Sequence, residues 1–254
     1  MDELYDISNV KSDFPKHGGV IVYWLGGAGF VFKFAAGETI CIDPYLSDVV
    51  ERLFGFRRLS LPPVSAENLH FDCLLITHDH ADHLDIDSFD GLMEANPRCR
   101  VIAPDCCADF LKSKQKPFDL ASVGAEFSVG SVDIQVAPAD HGDLCPSAVG
   151  YFLTFNGHRL YFTGDTAFSG SIVLRAVEFA PEIVIPCING AFGNMDSEDA
   201  ANLVFQCRAK TAIPSHFWLF AEHGGSPAEF QARAAAKSPE TEVMLLTPGR
   251  GCEI

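Results

Sequence analysis

Residues 77–83 read Thr77-His78-Asp79-His80-Ala81-Asp82-His83 and directly follow the apolar run Cys73-Leu74-Leu75-Ile76. Such a run reads as a short buried strand, so three imidazoles and two carboxylates arrive just past a strand's carboxyl end. Open α/β sheets place their chemistry there. Crowding so many metal-binding groups together is costly in desolvation and repulsion unless a cation neutralises them or solvent bathes them. A charged loop facing water is the bland alternative. The whole His78-x-His80-x-Asp82-His83 pattern is far more specific than a lone His-x-His, and it reads as a metal site.

Upstream, Val20 to Trp24 is a β-branched and aromatic run that ends at Leu25-Gly26-Gly27-Ala28-Gly29, where the chain turns sharply or its backbone comes close to something. Phe30–Phe34 and Thr39–Ile42 complete a three-strand meander that stops at Asp43-Pro44. Asp43 is either a turn former or a partner for a metal-bound histidine. Residues 45–70, broken by Leu61-Pro62-Pro63, read as a loop or lid. Helices are predicted over Asp87–Asn96 and Asp105–Lys112, with Val101-Ile102 between them as a short strand. Strand, metal loop, helix, strand is an α/β order.

The second half repeats the theme. Glu126–Val136 alternates as one strand, and Tyr151–Phe155 with Arg159–Phe162 flanks the hairpin signal Asn156-Gly157. A buried strand is expected at Ile183–Ile185 and further strands at Thr211–Pro214 and Val243–Leu246, with a helix capped by Asp196 or Ser197 and striped by Ala200, Leu203, Val204 and Cys207. Meander plus helices occurs twice, over about 20–140 and 145–254, which a two-sheet sandwich with outer helices satisfies.

Groups with chemistry recur at strand ends. His141 follows the alternating strand, Asp165 sits in Thr163-Gly164-Asp165-Thr166, and His216 follows Ser215, so neighbouring strands can aim all of them into one cleft with His78, His80, Asp82 and His83. Singly, Asp165 could be a turn former, His141 a loop histidine and His216 a core histidine; their shared register favours ligands. Asn189-Gly190 offers amide and backbone donors for an oxyanion or phosphate, or is a plain turn. His223, before Gly224-Gly225, marks a helix terminus or a substrate-contacting loop. His17, His70 and His158 read as ordinary surface or loop groups, and Trp218 and Phe220 as core.

The totals narrow the classes. With 254 residues, 48% hydrophobic and 20% charged, the chain can bury a sizeable core. Its formal net charge of -16 repels phosphate backbones and anionic bilayers, which argues against nucleic acid and membrane as partners. Nine cysteines without a Cys-x-x-Cys pair give neither a disulfide framework nor a zinc ribbon. No apolar leader or membrane span is apparent, so a cytoplasmic location is expected. Phe54 and Phe56 are candidates for contact with a partner or a sister subunit in a homo-oligomer, or for covering the cleft.

Taken together, these residues resemble the metallo-β-lactamase superfamily, which implies one metallo-hydrolase domain over 1–254 with an αββα four-layer sandwich, two mixed β-sheets and helices on the outer faces. Trp24 to Phe30, Ser169-Gly170-Ser171, Ile188 to Met195 and Pro214 to Gly225 further resemble its L-ascorbate-6-phosphate lactonase branch. The resemblance implies that His78, His80 and His141 hold one divalent ion and Asp82, His83 and His216 a second, with Asp165 between. The branch points to manganese, while imidazole and carboxylate suit zinc, manganese or iron alike.

The implied reaction is opening of a lactone, here a phosphorylated sugar lactone or another small molecule. Divalent ions lower the pKa of bound water from about 15.7 towards 7. Asp82 orients that water and accepts its proton, with His216 as the other catalytic candidate. Asn189, Gly190 and His223 are the expected substrate contacts. A phosphodiesterase acting on a small or cyclic substrate is the alternative. A di-iron oxidoreductase and a metal-free interaction module are disfavoured, the first because its branch carries a carboxylate where His80 stands and the second because no ligand position has decayed.

Overall fold

The computed structural model describes residues 5–254. Two mixed β-sheets face one another. In chain order the first contains β1 (Tyr5–Asp6), β2 (Val20–Gly26), β3 (Gly29–Phe34), β4 (Thr39–Ile42), β5 (Cys73–Leu75), β6 (Arg100–Ala103) and β7 (Asp119–Leu120). The second contains β8 (Glu126–Val129), β9 (Val132–Pro138), β10 (Val149–Phe155), β11 (His158–Phe162), β12 (Ile183–Ile185), β13 (Thr211–Ala212) and β14 (Glu242–Val243). The last strand, β15 (Arg250–Glu253), crosses back and inserts between β1 and β2. Both sheets follow one plan, an antiparallel meander continued by parallel strands: β4 through β7 in the first sheet and β11 through β14 in the second.

Period-two alternation explains the layers. Phe30, Phe34 and Ile42 of the first sheet face Phe155 and Phe162 of the second, with Phe34 and Phe155 edge to face at 4.9 Å. The opposite residues of the first sheet, such as Val31 and Leu74, pack on α2 (Phe89–Ala95) and α3 (Ala108–Ser113) through Phe89, Leu92 and Leu111. On the far side of the second sheet Phe152 stacks at 4.2 Å on Phe179 of the helix Gly170–Phe179, which touches the helix Ser197–Cys207, itself packed on the helix Pro227–Lys237. The order is helix, sheet, sheet, helix, the expected αββα arrangement of the α/β class.

Several elements depart from the sequence reading. Glu126–Val136 is a tight hairpin, not one strand, because Gly130 adopts a φ of 58° and lets Val129 pair with Val132. The segment 45–70 is not all loop: it contains α1 (Val49–Phe54), ended by Gly55 in the left-handed conformation. The helices that follow the parallel strands of the second half are α4 (Gly170–Phe179), α5 (Ser197–Cys207) and α6 (Pro227–Lys237). Asp196 caps α5 by accepting from the amides of Glu198 and Asp199. The sequence reading missed α4 and α6, although Ser226-Pro227-Ala228-Glu229 carries a start signal: Ser226 accepts from the Glu229 amide, with proline in the first turn. Trp218 is not core; it is 58% exposed, while Phe220 is buried as expected. No helix among the described residues is long and apolar enough to cross a membrane.

Candidate metal centre

The seven side chains meet where the two sheets touch. β5 ends at Leu75, and the next residues bond across the seam: the Tyr151 hydroxyl donates to the Ile76 carbonyl at 2.6 Å and the Val149 amide to the Thr77 carbonyl at 3.0 Å. Gly164 packs against the same point, with a φ of 61° and no room for a Cβ beside the Val149 carbonyl. His141 leaves β9, Asp165 leaves β11 and His216 leaves β13 on this rim. His216, at φ 57°, donates its amide to the carbonyl of Gly27 at 2.8 Å, which accounts for the glycine-rich turn 26–29: Leu219 fills the space a Gly27 side chain would take.

Donor atoms converge in two sets that are joined through His78, His83 and Asp165. His78 Nε2 lies 2.9 Å from His80 Nδ1, which lies 3.4 Å from His141 Nε2. His83 Nε2 lies 3.1 Å from His216 Nε2, and Asp82 Oδ2 is 3.8 and 3.5 Å from these two nitrogens. Asp165 stands between, with Oδ1 at 3.3 Å from His216 and 3.5 Å from His83, and Oδ2 at 4.0 Å from His141. Four ligands tetrahedrally placed at zinc-like bond lengths are separated by roughly 3.3 Å. The spacings within both sets bracket that value.

Whether these residues fit a cation is tested by their unsatisfied atoms. Asp165 Oδ1 is buried without a hydrogen-bond partner among the described residues, although two imidazole nitrogens lie close. A buried carboxylate oxygen is left so only at a cost of a few kcal/mol unless a positive charge sits against it. The set therefore fits divalent metal: imidazole and carboxylate donors, neighbouring and buried.

Electrostatics report the same crowding. Burial disfavours charge on His83, but the carboxylates of Asp165, Asp82 and Asp43 outweigh burial and hold its pKa well above the ordinary imidazole value. His216 is likewise raised, against burial, by Asp165 and Asp82. Burial raises and these imidazoles lower the carboxyls of Asp165 and Asp82, and the lowering wins for both. His78 and His141 are pushed down, first by burial, then, for His78, by His83. Without a cation, protons on His83 and His216 stand where positive charge is needed.

A second tier orients the first. Asp43 Oδ2 meets His83 Nδ1 at 2.8 Å, and the same carboxylate accepts from the Thr77 hydroxyl at 2.5 Å and the Thr77 amide at 2.8 Å. Thr77 Oγ1 also lies 3.0 Å from His78 Nδ1. Asn194 donates to Asp165 Oδ2 at 2.7 Å. The sequence reading assigned no role to Thr77 or Asn194; both lie inside the motifs quoted above, and only the fold shows which of the clustered side chains each one touches.

A cavity of about 360 Å³ opens over the centre. The expected substrate contacts divide there: Asn189 and His223 line it and Gly190 does not. Both side-chain polar atoms of Asn189 and Nδ1 of His223 are buried and unpartnered among the described residues. Burial, then the proximity of His216, lowers the His223 pKa to about 4, so its ring is neutral at neutral pH. The cavity lining holds no lysine or arginine, which runs against the expected phosphorylated sugar lactone, because a phosphate held there away from the ligand groups would meet no cation. Residues Val50, Leu53, Phe54 and Phe56, read from sequence as a loop region, supply its outer wall.

The model of the β-lactamase superfamily domain matches residues 38–217, from β4 through the loop that carries His216. The chain belongs to the β-lactamase superfamily. Relatives within the superfamily include a UPF0173 metal-dependent hydrolase of Methanosarcina barkeri, 28% identical with 93% of this chain and 99% of the relative covered. Another, from Aeropyrum pernix, is 30% identical with 91% and 96% covered. Among solved structures, the superfamily fold recurs in Igni18, a metallo hydrolase of Ignicoccus hospitalis, with a TM-score of 0.74 at 21% identity over 92% of this chain and 98% of that one.

Proposed function

We propose that this β-lactamase superfamily member is a metal-dependent hydrolase that opens a lactone or a related acyl ester of a small molecule. One observation carries the reading: seven imidazole and carboxylate side chains from four chain segments converge, five of them lining a cavity, with a buried Asp165 oxygen left for a cation. His78, His80 and His141 hold one divalent ion, and Asp82, His83 and His216 hold another, with Asp165 between them; zinc and manganese both suit the donors. When bound, such ions polarise a carbonyl and make water acidic enough to attack near neutral pH.

The chain's own residues supply the rest. Asp82 stays ionised because His83 and His216 stabilise its charge, so it orients the attacking water and takes its proton. The Asn189 amide donates to the carbonyl oxygen as that oxygen gains charge, a role suited to a buried donor with no other partner. His223, neutral and beside the centre, holds the leaving oxygen through Nδ1. The motifs shared with the lactonase branch support attack at a carbon centre, and a cavity without lysine or arginine supports it over attack at a phosphodiester. Nine cysteines without a Cys-x-x-Cys pair or a disulfide framework accord with a reducing compartment such as the cytoplasm. Comparing turnover of a simple γ-lactone and of bis(p-nitrophenyl) phosphate by the metal-loaded protein, before and after chelation, tests the reading. Phosphodiester cleavage alone, or lactone opening that survives complete chelation, rejects it.

A further inference from the structure

The floor of the cavity is polar and its walls, apart from the Asp79 carboxylate, are largely apolar. Leu53 and Phe54 come from α1, Phe56 from the turn after it, Leu144 from the loop that follows His141, and Phe192 from the segment after Asn189. Leu53, Phe54, Leu144 and Phe192 are 47%, 63%, 55% and 48% exposed, respectively. Large apolar side chains exposed singly need no explanation, but four from three separate segments around one mouth do. None of them is required by either sheet core.

The aromatic wall is continuous. Phe56 lies 6.3 Å from both Phe192 and Phe220, and Phe220 and Phe192 lie 4.8 and 5.7 Å from His223, whose ring is 4.7 Å from that of His216. A ligand entering along this wall is led from apolar surface to the clustered imidazoles and carboxylates past Asn189 and His223. A phosphate in the outer part would shed water and meet no cation, only the Asp79 carboxylate, which repels it. An alkyl or aryl group would gain by leaving water.

We infer that the substrate is an uncharged, lipophilic lactone or ester whose apolar tail lies between Phe54, Phe56, Leu144 and Phe192 while its carbonyl reaches the floor. The inference rests on the hydrolytic reading for its reacting group and on the wall for its tail, and the two are separable. With γ-butyrolactones carrying alkyl chains of one to eight carbons, kcat/KM of the metal-loaded protein rises roughly three- to fourfold per methylene until the wall is covered. The matching γ-lactams, which resist hydrolysis, show the same chain-length dependence in calorimetric Kd whether or not the lactones turn over.

Phe54→Ser, at an exposed position, lowers affinity for the octyl lactam about tenfold more than for the methyl lactam, and Phe192→Ser does the same. A flat chain-length dependence in Kd, or tighter binding of a polyhydroxylated or phosphorylated lactam than of the alkyl series, overturns the inference. Lactam binding that follows chain length together with lactones that never open leaves the apolar tail standing and removes the reacting group.

Discussion

Asp43 Oδ2 and His83 Nδ1 lie 2.8 Å apart, both wholly buried, and this contact joins the end of β4 to the metal loop after β5. Asp43 holds a φ of 46° to make it, a conformation that aspartate and asparagine tolerate better than most residues. The carboxylate fixes the ring so that Nε2 faces the cluster and makes that nitrogen a stronger donor.

Asp43→Asn keeps the backbone conformation and removes the charge. Metal affinity at the Asp82, His83 and His216 set falls roughly 10- to 100-fold, as loss of an orienting partner does elsewhere. Competition against a fluorescent chelator measures it, with far-ultraviolet circular dichroism as a check on the fold. An unchanged affinity means that Asp43 only shapes the turn.

The two donor sets adjoin through His78, His83 and Asp165, and emptying one at a time tests whether they act separately. His80→Ala removes a ligand from the His78, His80 and His141 set and leaves Asp82, His83 and His216 untouched; Asp82→Ala does the reverse. Elemental analysis finds about one divalent ion per chain in each variant against two in the parent, and lactone turnover falls by at least a thousandfold in both, since positioning and charge stabilisation are lost together. Loss of both ions from either variant makes the centre a single cooperative unit and refutes this division.

The sites of sequence legibility follow from where physics is local. The convergence of His78 to His83 could be expected because the loop's own composition demands a cation or solvent, and that of His141, Asp165 and His216 because each follows a strand that alternation or β-branching marks. Asp43 remained open between two roles, since its partner His83 is forty residues away and only the parallel pairing of β4 with β5 brings them together. The turn at Gly130-Ser131 shows the opposite failure: the dipeptide is a hairpin signal, but Phe127 and Val129 before it and Val132, Ile134 and Val136 after it read as one alternating run, although the phase shifts by one residue at the turn. The apolar wall was hidden for a third reason. Leu53, Phe54 and Phe192 have no periodic partners, and their common destination is set by tertiary packing alone.

Gly164 tests the seam itself. A Cβ there would sit 2.7 Å from the Val149 carbonyl and 3.1 Å from the Thr77 side chain, at a φ of 61°. Gly164→Ala destabilises the protein by about 1–3 kcal/mol. It also shifts Asp165, the next residue, so metal content falls along with stability. Urea unfolding and elemental analysis of the folded fraction read the two effects. Full stability with full metal content refutes the close approach of the sheets at this glycine.

His223 sets a pH dependence whose sign is fixed by its surroundings. Its pKa is lowered from 6.5 to about 4, chiefly by burial and then by His216, so the folded state holds the ring neutral while the unfolded chain binds a proton below about 6.5. The contribution is fully present above 6.5 and is lost as pH falls towards 4, by roughly 3 kcal/mol at the limit. His223→Gln keeps a polar side chain and removes the titration, so between pH 7 and pH 5 the variant loses less stability than the parent. Urea midpoints of parent and variant, compared at both pH values after chelation so that metal release does not enter, decide it: equal losses show that His223 is free to protonate in the folded state.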